Sequence, residues 1–131
     1  MKLVFDTNVY ISAFAIPKSK AEKAFLKVIE SGDVLLISKD TLKEILTVLS
    51  TKFNQDREAL SHLAVYVSGL ARMVEVTGPK LRVLNNEPDN RIVECAIAGG
   101  ADIIVTGDKE MLKLKEFKSV RIIGLREYLE G

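Results

Sequence analysis

The chain has 131 residues, 47% of them hydrophobic and 28% charged, with a formal net charge of +1. This length suits one domain over residues 1–131, and the apolar share is enough to bury a core, which argues against a disordered tail. Near-neutrality excludes bulk electrostatic attraction to nucleic acid, so any such binding has to rest on a local patch.

Residues 2–5 are a short apolar run closed by Asp6, the pattern of a buried strand. An acid after three apolar residues is unlike a secretory leader, and no apolar run approaches the roughly 18 residues of a membrane span. A cytoplasmic protein without a membrane segment is therefore expected. Residues 8–15 are predicted helical, stopping near Pro17. Residues 21–30 carry Ala21, Ala24, Phe25, Val28 and Ile29 at helical spacing, with Gly32 as a stop. Residues 33–38 hold the continuous run Val34-Leu35-Leu36-Ile37, a strand covered on both faces.

Ser38 or Asp40 then caps a helix with Leu42, Ile45, Leu46 and Leu49 on one side. A longer helix is predicted over 57–72, and its 60–70 stretch offers either a core face or a dimer face. Residues 74–76 read as a short strand and Gly78-Pro79 as a turn. Asp89 stands where an N-cap belongs, before a helix of Ile92, Val93, Cys95, Ala96, Ile97 and Ala98 that ends at Gly99-Gly100. Residues 102–106 form another buried strand, and 120–123 the last one, followed by a short helix. Strands separated by helices imply right-handed crossovers and a mostly parallel sheet of about four to five strands.

In such sheets ligands gather at the carboxyl ends of the strands. Asp6 and Asp108 each follow a strand, Asp89 opens a helix, and Glu44 lies about one turn into the helix after the second strand. Four acids from distant parts of the chain can thus meet on one rim. Carboxylates at 4 Å repel by about 4 kcal/mol at an effective dielectric of 20. Such a cluster must raise its pKa values or bind cations. Oxygen donors without histidine or cysteine suit Mg²⁺ or Mn²⁺, and such ions activate water and stabilise phosphate charge. Each acid also has a plain alternative: Asp6, Asp89 and Asp108 as helix caps, Glu44 as a solvated side chain.

Other chemistries find no support. His62 is the only histidine and falls in the long helix, so no Ser–His or Cys–His pair can form at the rim. Cys95 is the only cysteine, which excludes an internal disulfide and a zinc ribbon. There is no phosphate-cradling glycine-rich loop of the Walker type.

Two segments go further: Asp6-Thr7-Asn8-Val9-Tyr10-Ile11-Ser12-Ala13, and Glu87-Pro88-Asp89-Asn90-Arg91-Ile92-Val93-Glu94-Cys95-Ala96 leading through Gly99-Gly100-Ala101-Asp102 to Thr106-Gly107-Asp108. Together they resemble the PIN domain, in particular small VapC-like toxins of toxin–antitoxin pairs, over essentially the whole chain. The resemblance implies a three-layer α/β/α fold and a Mg²⁺- or Mn²⁺-dependent ribonuclease. It matches Asp6, Glu44, Asp89 and Asp108 to the family's catalytic, metal-holding acids. Thr7, Asn8 and Thr106 match polar positions that orient the metal or its waters. It further implies RNA as substrate, an antitoxin as partner and a homodimer as the assembly.

Glu94 interrupts an apolar helix and is expected to pair with Arg91 on the surface rather than join the rim. Lys18, Lys20, Arg91, Lys109 and Lys113 are the candidate cations for RNA phosphates. Three readings stay open beside the toxin: an RNA-processing nuclease outside a toxin pair, an inactive PIN-like adaptor, and an aspartyl-nucleophile phosphohydrolase or phosphoacceptor domain. The last pair is disfavoured because position 8 is asparagine and Asp6 lacks a nearby second acid.

Overall fold

The computed structural model describes residues 1–131. The elements follow one another as β1 (Lys2–Phe5), α1 (Thr7–Ala15), α2 (Lys20–Ser31), β2 (Val34–Ser38), α3 (Lys39–Lys52), α4 (Arg57–Leu70), β3 (Arg72–Val74), α5 (Glu87–Gly99), β4 (Ile103–Val105), α6 (Lys109–Leu114), β5 (Glu116–Phe117), β6 (Val120–Ile123) and α7 (Leu125–Glu130). They build one six-stranded sheet in the order β3-β2-β1-β4-β6-β5. All neighbours are parallel except β5 and β6.

Side chains alternate across a strand, and this chain uses both faces. Leu3, Phe5, Leu35, Ile37, Ile103 and Val105 point into the larger core, which α1 to α4 and α7 cover. Val4, Leu36, Ile104 and Ile122 point the other way, against Ile92, Val93, Cys95 and Ala96 of α5 and Met111 of α6. This double covering makes the three-layer α/β/α fold and explains why the central strands read as unbroken apolar runs.

The larger core is aromatic at its centre. Phe5 meets Phe25 edge-on at 5.0 Å between ring centroids, and Tyr10 meets Phe25 at 5.2 Å. This contact fixes α1 and α2 over the carboxyl end of β1.

Three expectations are corrected. The sheet has six strands rather than four or five, because Glu116–Phe117 pairs antiparallel with β6 across a turn at Lys118, whose φ is 56°. A lysine in that conformation replaces the usual Asn-Gly signal, so the hairpin is silent in sequence. The third strand is Arg72–Val74 rather than 74–76, and it ends α4 two residues early. Finally, α5 is capped by Asn86, whose side chain accepts the Asp89 N–H at 3.3 Å, so Asp89 lies in the first turn rather than at the cap.

Gly99 lies where α5 packs closely on the sheet. A Cβ there would lie 2.7 Å from Leu36 Cδ1 and 2.9 Å from Val74 Cγ2. Gly99→Ala is therefore expected to destabilise the fold by about 1–2 kcal/mol, overpacking outweighing the better helix propensity of alanine. Urea unfolding of the two proteins measures this directly. An unchanged midpoint would mean that Leu36 repacks freely.

Candidate functional site

The parallel register of β1 and β4 sets Phe5 beside Val105, so the residues that follow leave the same edge together. The Asp6 N–H donates to the Val105 carbonyl at 3.1 Å. The fully buried Thr106 hydroxyl donates to the Asp6 carboxylate and accepts the Asp108 N–H at 3.0 Å. One hydroxyl thus ties two acids that come from opposite ends of the sequence.

Asp6 also caps α1 by accepting the Val9 N–H at 3.0 Å, and Asp108 caps α6 by accepting the Met111 N–H at 3.1 Å. Asp89, third residue of α5, comes within hydrogen-bonding reach of Asp108. Capping and convergence, separate readings in sequence, are here the same placement. Three helix N-termini meet at this point, and their dipoles favour negative charge.

The cluster is electrostatically loaded. Asp6 is 2% exposed, and burial pushes its carboxyl above the ordinary range. Hydrogen bonds from Thr106, Val9 and Asn8 oppose that rise, and the nearby Asp108 carboxylate adds to it. Asp89 is pushed up to about 6, first by burial, then by the charges of Asp108 and Asp6, and by a hydrogen bond with Asp108. A proton on Asp89 relieves like-charge repulsion. A cation relieves it as well.

The donor set suits a hard divalent ion: carboxylate oxygens with no histidine or cysteine among them. No three acids are placed to grip one ion at once. The fit is to a hydrated ion such as Mg²⁺, which keeps several of its waters and takes one or two carboxylates directly.

Glu44 stands apart from the aspartates. It is half-buried and lines a polar groove with Thr7, Asp40, Thr41, Lys80, Glu87, Pro88 and Arg91. Thr7, next in chain to Asp6, links this groove to the cluster. Asn8 contributes its backbone N–H to Asp6 while its side chain faces solvent. A second groove, on the Asp89–Asp108 side, is lined by Leu84, Asn85, Asn86 and Glu110.

Family membership can be read against this geometry. The PIN domain family model matches residues 2–110. The chain belongs to the PIN domain family. A protein of similar sequence is the uncharacterized protein MJ1680 of Methanocaldococcus jannaschii, 29% identical over 119 residues, covering 88% of this chain and 76% of that protein. Among solved structures, the PIN fold seen here resembles VapBC2 from Rickettsia felis, bound to a DNA fragment from their promoter, with a TM-score of 0.68 at 19% identity over 95% of this chain and 98% of that one. It also resembles Mycobacterium tuberculosis VapC20, a sarcin-ricin loop cleaving toxin, with a TM-score of 0.63 at 17% identity over 91% and 98%.

The cations lining the grooves are only in part those expected. Lys18 and Lys20 lie at the start of α2 and line neither groove, and Lys113 pairs with Glu110 at 3.2 Å. Lys80 and Arg91 line the polar groove beside Glu44, and Arg82 lines the next one along. Glu94 corrects the expectation most sharply. Its pair with Arg91 forms at 3.0 Å, but it is buried rather than on the surface, because residues 80–86 fold over it. The signal for this lay in Asn90, Arg91 and Glu94, three polar residues clustered on an otherwise apolar helix.

Proposed function

We propose that this PIN domain is an endoribonuclease that hydrolyses RNA phosphodiester bonds with Mg²⁺ or Mn²⁺, as the toxin of a toxin–antitoxin pair. The observation that carries the reading is the convergence of Asp6, Asp89 and Asp108 at the carboxyl edge of the sheet, locked by Thr106. When bound, the ion supplies an activated water and charge neutralisation at phosphate oxygens. Asp89 and Asp108 present oxygens toward solvent, where such an ion would be held. Asp6, deeper, fixes the geometry through Thr106. With its carboxyl pushed up to about 6, Asp89 is mainly ionised at neutral pH, and below that value a proton would compete with a cation for it. Glu44 and Thr7 face the adjoining groove and orient water or strand there.

VapBC2 is seen bound to a DNA fragment from their promoter, and VapC20 is a sarcin-ricin loop cleaving toxin. The likeness of fold motivates the same partner class and substrate class here. No helix is long and apolar enough to cross a membrane. Val65 (74% exposed) and Tyr66 (48% exposed) on α4 are the apolar surface that an antitoxin or a second copy would cover.

The test is cleavage of end-labelled single-stranded RNA with Mg²⁺ or Mn²⁺, with EDTA, and by Asp89→Asn purified in parallel. Cutting that EDTA abolishes and that the variant loses by about 100-fold or more is the expected result. Cutting that persists undiminished in EDTA or in the variant would remove this mechanism.

A further inference from the structure

Between β3 and α5 the chain runs through residues 75–86 without a helix or strand, yet α5 holds it firmly. Asn90 binds Leu84 twice, accepting its N–H and donating to its carbonyl, both at 2.8 Å. Glu94 accepts the Leu81 N–H at 2.6 Å, and Arg91 Nη2 donates to the Leu81 carbonyl at 3.1 Å. The Arg91–Glu94 ion pair sits beneath this loop, the two residues 9% and 8% exposed.

The arrangement satisfies Glu94 and only one nitrogen of Arg91. Arg91 Nε and Nη1 are buried without a hydrogen-bond partner. Leaving donors unpaired in the interior costs about 1–3 kcal/mol, and more for a charged group. Such a group calls for a functional explanation. Nη1 makes one long ion pair, 3.8 Å to a Glu87 carboxylate whose side chain is 77% exposed. An anion of loose hold and high exposure therefore stands beside an arginine that lacks acceptors.

Arg91 lines the polar groove, about 350 Å³ in volume, in which Lys80 also lies and which Thr7 joins to the acid cluster. We infer that Arg91 and Lys80 form a phosphate-binding subsite in this groove, with Glu87 as an internal placeholder that a backbone phosphate of the substrate strand displaces. The Nη1 edge of the guanidinium, the one turned toward Glu87, can donate to a phosphate oxygen, which accepts from the donor that Glu87 fails to satisfy. A strand phosphate held here flanks the scissile one, so the cation patch answers the repulsion between the acidic cluster and an anionic substrate. This assignment rests on the ribonuclease reading for the identity of its ligand.

The test is binding of a single-stranded 2′-O-methyl RNA in EDTA, followed by fluorescence anisotropy and by the NMR signal of Arg91 Nε–H. The Arg91 signal should move on titration. Glu87→Gln should tighten binding about threefold, and Lys80→Ala should weaken it about fivefold while lowering the salt-dependence slope by about one. The double variant Arg91→Gln/Glu94→Gln removes both charges together and keeps an acceptor for Leu81, so it tests Arg91 without stranding a buried carboxylate. It should weaken binding about tenfold. Unchanged affinity in Glu87→Gln and Lys80→Ala, with a still Arg91 signal, overturns the subsite. Binding at Arg91 with no metal-dependent cleavage of unmodified RNA by wild type retains the subsite and removes the nuclease reading. Cleavage with a silent Arg91 does the reverse.

Discussion

Asp89→Asn is expected to melt above the wild-type protein in EDTA at pH 7.5, although it is the variant expected to lose cleavage. The sign follows from the raised pKa of Asp89, about 6 against the ordinary 3.8. Below pH 3.8 the group is protonated in both folded and unfolded chains, and the folded state has the full benefit of its neutral form. As the pH rises from 3.8 through 6, the unfolded chain ionises first, so folding has to take up a proton and, above 6, to bury a carboxylate that burial and Asp108 disfavour, and that stability is lost. Asparagine imitates the protonated acid at every pH. A shift of this size has a ceiling of about 3 kcal/mol, and partial solvent access reduces the expected gain to about 1–2 kcal/mol. Thermal melts at pH 4 and pH 7.5 check it, with most of the difference gone at the lower pH. Millimolar Mg²⁺ should reverse the order, since only the intact cluster gains from binding, by about 2.7 kcal/mol at a hundred times the dissociation constant. A wild type that outlasts the variant in EDTA at pH 7.5 would mean that Asp89 is not under this strain.

The second large effect is expected at Thr106. Valine fills the same volume, so Thr106→Val removes a hydroxyl and little else. Asp6 then loses a donor inside the protein and the Asp108 N–H loses its acceptor. Together these should destabilise the fold by about 2–4 kcal/mol at pH 7.5. Losing the donor raises the Asp6 carboxyl further, so the penalty should shrink at pH 4, where a protonated Asp6 needs less support. Thr106→Ser keeps the hydroxyl and should cost only about 1 kcal/mol for the missing methyl. Denaturant unfolding of the three proteins at both pH values separates the two causes. Equal losses for valine and serine would show that packing, not the hydroxyl, holds this point.

Legibility in the sequence followed the kind of force involved. Strands buried on both faces declare themselves, so Leu3-Val4-Phe5 and Ile103-Ile104-Val105 were readable as the sheet's centre, and the acids after them could be placed on its rim. Edges were less readable. Glu116–Phe117 has no apolar run and turns on a lysine, and Arg72–Val74 was masked by the helical periodicity that runs into it. Within the candidate site, Asp6, Asp89 and Asp108 follow from topology alone. The role of Asn86 as cap, the burial of Glu94 and the presence of Lys80 beside Arg91 do not. They depend on where residues 80–86 cross α5, and a loop's path is set by tertiary contacts. Glu94 is the clearest case: a charge on an apolar helix face reads as solvent-exposed until a segment 13 residues upstream covers it.

The bond between Thr106 and Asp6 spans 100 residues of chain. On a ribosome that span is also a delay. The central strand is among the first segments made, but its neighbour β4 and the acid beyond it arrive only when most of the protein has been synthesised. Asp6 and Asp89 are translated well before Asp108, and until Asp108 emerges there is no cluster for them to join. A chain interrupted between Asp89 and Asp108 carries two of the three aspartates and lacks the residue that would complete their arrangement. The cluster is therefore the last part of the sheet's rim to be assembled, after the strands that carry it are already made.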